Sequence, residues 1–198
     1  MSLTLLDWRR RVHRLYADVR AAAHPTQGHE LWRVGRDRLL AEHPDSPLSP
    51  EGRTGFCGLS VAPYDPSLRF EVELDSRVPP LAWSVATAGD GVVPFSRLGV
   101  VHLDGVGDLD VWWLESYGGG VFLPVRDAAT DTYGGGRYVL DTAKGADLGG
   151  DARAGRLVVD LNFAYNPSCA YSPAWTCPLA PAGNTLSIVL EGGERTRC

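Results

Sequence analysis

The chain has 198 residues, 44% hydrophobic and 22% charged, with a net charge of −5. That length suits one domain, or a domain with a small appendage. The acidic balance argues against a nucleic-acid surface, which needs a basic face, and no apolar run approaches the roughly 18 residues that cross a membrane.

The opening MSLTLLDWRRRVHRLY lacks the basic, apolar, small order of a signal peptide, so the sequence reads as cytoplasmic. Its four cysteines, Cys57, Cys169, Cys177 and Cys198, are then expected to be thiols before a disulfide framework, with Cys198 on a frayed end.

The first element is a helix. Leu5, Trp8, Val12, Leu15 and Val19 recur at steps of three and four and form one apolar stripe. Thr4 followed by Asp7 resembles a capping box with Asp in place of Glu. Arg9, Arg10, Arg11, Arg14 and Arg20 lie mostly off the stripe, as a solvated face or as a grip for an acidic partner. Pairing of two chains through this helix would give a homodimer. HPTQG breaks the helix, and a second is expected over Glu30–Glu42, with Leu31, Trp32, Leu39 and Leu40 inward. His43-Pro44 ends it, because the residue before proline resists helical geometry. Residues 1–45 thus read as a helical segment and residues 46–198 as a β domain.

From Phe56 the period falls to two. Leu68, Phe70, Val72 and Leu74 alternate with Arg69, Glu71 and Glu73, as in a half-buried strand. Further strands are expected near Leu81–Thr87, Ser96–Leu103, Leu109–Glu115, Val121–Arg126, Arg137–Asp141, Leu157–Tyr165 and Thr185–Glu191. The connections are short and rich in Gly and Asp, and the chain holds 23 glycines and 14 prolines. The expected fold is mainly β (α+β overall): an antiparallel barrel or roll of about eight strands, preceded by two helices packed on its outside. SYGGGVFLPV and TYGGGRYVL each place a tyrosine and three glycines before a strand, which suggests two tight approaches of backbone to backbone or to a ligand.

The blocks HPDSPL, FCGLSVAPYDPSLR, TYGGGRYVLD, DLNFAYNPSCAYSPAWTCPLAPAGNTL and EGGE follow in that order. Together, from about His43 to Glu194, they resemble the bacterial and archaeal domain-of-unknown-function family 1684, and the Asn-Pro-x-Cys-Ala-Tyr block is the most specific of them. The resemblance implies no reaction. It also implies a departure: the family often carries Glu-Asn-His-Leu where this chain has Gly183-Asn184-Thr185-Leu186, so no role rests on a histidine there.

The candidate ligand-binding residues are Tyr133, Arg137, Asp160, Asn162, Asn166 and Trp175. Successive amides in the Tyr133–Gly136 turn suit an anion, and the planar fork of Arg137 suits a carboxylate or phosphate; the bland alternative is a hairpin with Arg137 paired to a structural carboxylate. Arg137, Val139 and Asp141 share one strand face; so do Val158, Asp160 and Asn162 on another strand. If those strands pair, Arg137 and Asp160 form an ion pair in a barrel mouth, either as the floor of a pocket or as a pin for the loop. The loop NPSCAYSPAWTCP is stiffened by proline and weighted with rings, like a rigid lid, with Asn166 and Asn184 suited to hold it.

Cys169 and Cys177 allow three readings: structural thiols or a disulfide, metal ligation completed by Cys57 or His102, or Cys169 as a nucleophile with His102 as its base. Tyr171 is a second candidate reactive group. No motif demands a cofactor, and both metal and flavin stay open; a barrel with a pocket is similar at fold level to flavin-binding split barrels, and fold does not carry function. Two functions remain in play: a small-molecule-binding protein or enzyme with an anion pocket under the 162–181 loop, or a structural protein in which that loop is a folding device. A polar concavity with perturbed titrating groups favours the first.

Overall fold

The computed structural model describes residues 3–87 and 91–196. Cys198 lies outside the described residues. Helix α1 spans Leu3–Ala21 and α2 spans Pro25–Glu42. The second helix starts five residues before its expected position, because Pro25 takes the first-turn place where a missing N–H costs nothing. Trp32, Leu39 and Leu40 face inward as expected, but Leu31 is exposed; Gly28 and His29 take the buried positions instead. The arginines of α1 lie on its solvent face. A short helix, α3, covers Pro50–Thr54, with the Ser49 hydroxyl capping the Gly52 N–H.

Eight strands follow among the described residues: β1 (Arg69–Glu73), β2 (Ala82–Thr87), β3 (Gly91–Leu103), β4 (Gly107–Leu114), β5 (Val121–Val125), β6 (Arg137–Asp141), β7 (Gly150–Asp151) and β8 (Arg156–Asp160). All pairings between them are antiparallel. They form a five-stranded sheet, β2-β3-β4-β5-β6, and a three-stranded sheet, β1-β8-β7. Two single bridges link the sheets, Asp75 with Val100 and Tyr138 with Tyr165. No closed barrel forms among the described residues. The reason lies in β8, which stops at Asp160: that carboxylate accepts the Asn162 N–H and turns the chain into a 3-10 turn over Leu161–Phe163.

Two further expectations change. β7 adds a two-residue strand, and Thr185–Glu191 forms none. That segment runs beside the end of β5 through separate bonds, Leu186 N–H to the Arg126 carbonyl and Ala128 N–H to the Ile188 carbonyl, while the Asp127 carboxylate takes the Leu190 N–H. Within the five-stranded sheet, Pro124 cannot donate to the ladder, and the register shifts there: Leu123 faces Leu140 but Pro124 faces Tyr138.

Both helices contribute to the core. Tyr16 and Trp32 pack with Val101, Leu109, Val111, Leu123, Val139, Val159 and Phe163 in one buried cluster. A second cluster stacks Phe95, Trp112, Phe122 and Tyr138 beneath Trp83. Trp112 and Trp113 point to opposite faces, so the first is buried and the second is 37% exposed.

Candidate functional site

Arg137 is fully buried at the start of β6, but not beside Asp160. The expected Arg137–Asp160 pair does not form, because β8 pairs with β1 and β6 pairs with β5. Arg137 instead donates to Asp127 Oδ1 at 3.3 Å and to the carbonyls of Gly192 at 2.6 Å and Glu194 at 3.0 Å. It fastens the C-terminal strap.

That strap delivers a carboxylate which sequence reasoning passed over. Glu194 is 1% exposed and accepts from the Asn166 N–H and Nδ2, each at 3.1 Å, from the Tyr171 hydroxyl, and from Arg36 Nη2 at 2.9 Å. The Arg36 guanidinium lies over the rings of Trp32 and Tyr165. Burial disfavours its charge, but Glu194 and the neighbouring tyrosine oxygens outweigh that, and its pKa is raised. Burial, then Glu194, lifts the Tyr171 hydroxyl far above the ordinary phenol range, so Tyr171 is a donor here and not a reactive phenolate. Asn166 and Tyr171 of the loop therefore close on Glu194. Arg36 follows Trp32 by one helical turn, a spacing that could have flagged it; the second Glu of EGGE carried no local signal.

The two Tyr-Gly-Gly-Gly stretches serve backbone approaches. A Cβ on Gly120 would meet the Ala143 nitrogen at 2.7 Å, and one on Gly136 (φ +90°) would meet the Ala180 Cβ at 2.7 Å. The Ala180 N–H donates to the Gly135 carbonyl, so the second stretch holds the far end of the loop. Tyr138 adds a hydrogen bond from its hydroxyl to the Pro178 carbonyl at 2.7 Å. Trp175, at the outer turn, is 47% exposed.

Cys169 and Cys177 come together under this loop, both half-buried and free. The Tyr133 hydroxyl donates to Cys169 Sγ at 3.5 Å, and that bond, with burial, pushes the phenol up to about 12. Burial pushes the Cys177 thiol up to about 11; the Cys169 amide opposes this and the Cys169 thiol adds to it. His102 is not their base. It sits 58% exposed on the β3–β4 hairpin, with Nδ1 2.8 Å from Asp108, which raises its pKa. Cys57 is exposed after α3, and no three His, Cys, Asp or Glu groups cluster for a metal among the described residues.

Asp160 and Asn162 form a separate centre at the end of β8. The Asn162 amide makes three hydrogen bonds: Oδ1 accepts the Asp65 N–H, and Nδ2 donates to the Asp65 carbonyl and to Asp160 Oδ1, each at 2.8 Å. It latches the chain before β1 onto β8. His29, its pKa lowered by burial, donates to the Asn162 carbonyl. Asp160 also accepts from the Tyr64 hydroxyl at 3.1 Å, and Arg69, its register partner across β1–β8, lies 4.0 Å away. Burial raises the Asp160 pKa above its usual value, and its hydrogen bonds and Arg69 only partly offset this. Asp160 is one of the residues lining a cleft of about 430 Å3, with Arg20, Arg69, Pro25, Gly149 and Phe163.

Residues 54–195 match the family described as "Protein of unknown function (DUF1684)". The chain belongs to this family. The solution NMR structure of an uncharacterized protein of Haloarcula marismortui is similar to it, with 33% sequence identity, a TM-score of 0.57, and coverage of 83% of this chain and 90% of that one. Among curated proteins nothing matches significantly. In this DUF1684 chain the position next to Asn184 is Thr185, whose hydroxyl bonds the Pro181 carbonyl. Asn184 itself is fully buried; it accepts from Trp112 Nε1 at 2.9 Å and donates to the Asp110 and Pro124 carbonyls. The invading amide ties the loop end to β4 and β5.

Proposed function

We propose that this DUF1684 protein binds a small anionic molecule, a carboxylate or phosphate compound, in the cleft at the end of β8, not beneath the 162–181 loop. One observation carries the reading. One cleft is lined by two arginines, Arg20 and Arg69, and by the buried Asp160, whose pKa is raised. Arg69 supplies the planar fork, and Asp160 orients it from 4.0 Å. Arg20 reaches Asp147 across the rim, and Arg69 pairs with the exposed Glu71 at 2.9 Å; both contacts are partly solvated and exchangeable for a ligand. The positive end of α2 opens at the same rim through Pro25.

The 162–181 loop is, in this reading, a folding device. Asn166 Nδ2 and the Tyr171 hydroxyl donate to Glu194, Cys169 Sγ accepts from Tyr133, Cys177 Sγ accepts the Cys169 N–H, and Cys177 packs into the ring cluster.

Native mass spectrometry of freshly purified protein tests the cleft, with inorganic phosphate and small dicarboxylates as added probes. A retained or probe-derived adduct in the wild type that disappears in Arg69→Ala and persists in Arg137→Lys supports the reading. A bare protein that takes up no probe, or an adduct unaffected by Arg69→Ala, sinks it.

A further inference from the structure

The loop thiols stand apart from the cleft and carry chemistry of their own. Cys169 and Cys177 are eight positions apart in sequence, yet the Cys169 N–H donates to Cys177 Sγ at 3.3 Å. The loop thus already folds the two residues back onto one another, as bond formation between them requires. Both are half-buried, so a small reagent reaches them. The Tyr133 hydroxyl donates to Cys169 Sγ at 3.5 Å. Cys177 instead packs against the Phe95, Trp112, Phe122 and Tyr138 rings, an apolar setting that keeps its proton on. The pair is thus asymmetric in its surroundings, with a polar hydroxyl beside the Cys169 sulfur and rings around Cys177.

We propose that Cys169 and Cys177 are a reversible dithiol–disulfide couple that exchanges with low-molecular-weight disulfides of the glutathione class. The Cys169 thiolate attacks one sulfur of the external disulfide; the external S–S bond breaks and one reduced thiolate leaves. Cys177 then loses its proton to solvent and attacks the Cys169 sulfur of the mixed disulfide, which expels the second reduced thiol. The protein loses two protons and two electrons, and one small disulfide becomes two thiols. The cross-link clips Ala170–Thr176, the segment that presents the exposed Trp175 and the Tyr171 hydroxyl on Glu194. Oxidation state then sets how firmly the loop is held, since a closed loop constrains the unfolded chain.

The test uses the full chain with Cys57→Ser and Cys198→Ser, exposed to oxidised glutathione, quenched by alkylation, and read by denatured mass and peptide mapping. The expected product is lighter by two hydrogens, carries no glutathione, maps to a Cys169–Cys177 link, and reverts with dithiothreitol. Adding Cys177→Ser should trap one glutathione on Cys169, and adding Cys169→Ser should slow adduct formation about tenfold. The oxidised form should unfold a few degrees higher, about 5 °C. Stable glutathione adducts without the internal link, cross-linked dimers, equal trapping at both sulfurs, or no reaction each overturn the proposal. Circular dichroism confirms that each variant folds, and the mapped link in the parent chain decides the matter if a variant does not.

Discussion

Replacing Arg36 by Met leaves Glu194 buried without its cation. The pair is 2.9 Å long, with the arginine side chain 15% exposed and the glutamate 1%. Removing one member of such a pair costs about 3–5 kcal/mol, because the remaining charge stays out of water. Asn166 and Tyr171 still donate to Glu194, which pulls the cost toward the lower end. Loss of the cation over Trp32 and Tyr165, at 5.3 and 4.6 Å from the ring centres, adds about 0.5–1 kcal/mol per ring, and the methionine chain keeps part of the packing. The sum is about 4 kcal/mol. Urea unfolding followed by circular dichroism should show the midpoint falling by about 1.5–2 M at unchanged slope, and Tm should fall by roughly 10 °C. The double variant Arg36→Met/Glu194→Gln should recover at least about 1 kcal/mol relative to the sum of the singles. A loss below about 1 kcal/mol for Arg36→Met would mean the pair is worth no more than a solvated one, and the cluster would not be what fastens the strap to α2.

Two further outcomes follow from other parts of the molecule. Asn184→Ala removes three buried hydrogen bonds and strands the Trp112 indole N–H, so it should cost about 3 kcal/mol in thermal unfolding and shift the tryptophan emission; unchanged stability would refute the tie between loop and sheet. The folded Asp160 carboxyl holds its proton above the ordinary value of 3.8. Just above that pH the native state therefore binds more proton than the unfolded chain, and wild-type stability falls as pH rises toward the folded pKa. Asn at this position has no such dependence, so the stability of Asp160→Asn relative to wild type should increase across that window and then level off. A difference that stays constant from about pH 3.5 to 7 in urea titrations would contradict the raised value.

The helices and most strands were legible because their signals are local. The stripe from Leu5 to Val19 has period three to four, and the Leu68–Leu74 alternation has period two, whatever the rest of the chain does. The site was less legible. Asp160 and Asn162 stood out as polar residues late in an apolar strand, and they do mark a polar centre, but their partners Tyr64 and Asp65 lie 96 and 97 positions earlier, and Arg69 lies on the neighbouring strand β1. Arg137 stood out because it follows the Tyr-Gly-Gly-Gly turn, and its partner was misassigned, because strand pairing depends on which ladder closes and not on the side-chain parity of one strand.

Sequence by itself determined that a Pro-, Cys- and ring-rich loop follows the last long strand, that two amphipathic helices precede a glycine-punctuated set of antiparallel strands, and that the family is DUF1684. Tertiary structure alone decided which charges meet. Arg36 reaches Glu194 across 158 positions, and Arg137 reaches the Gly192 carbonyl across 55. A buried charge is stable only with its partner beside it, and nothing in the local spacing of either residue records that distant partner.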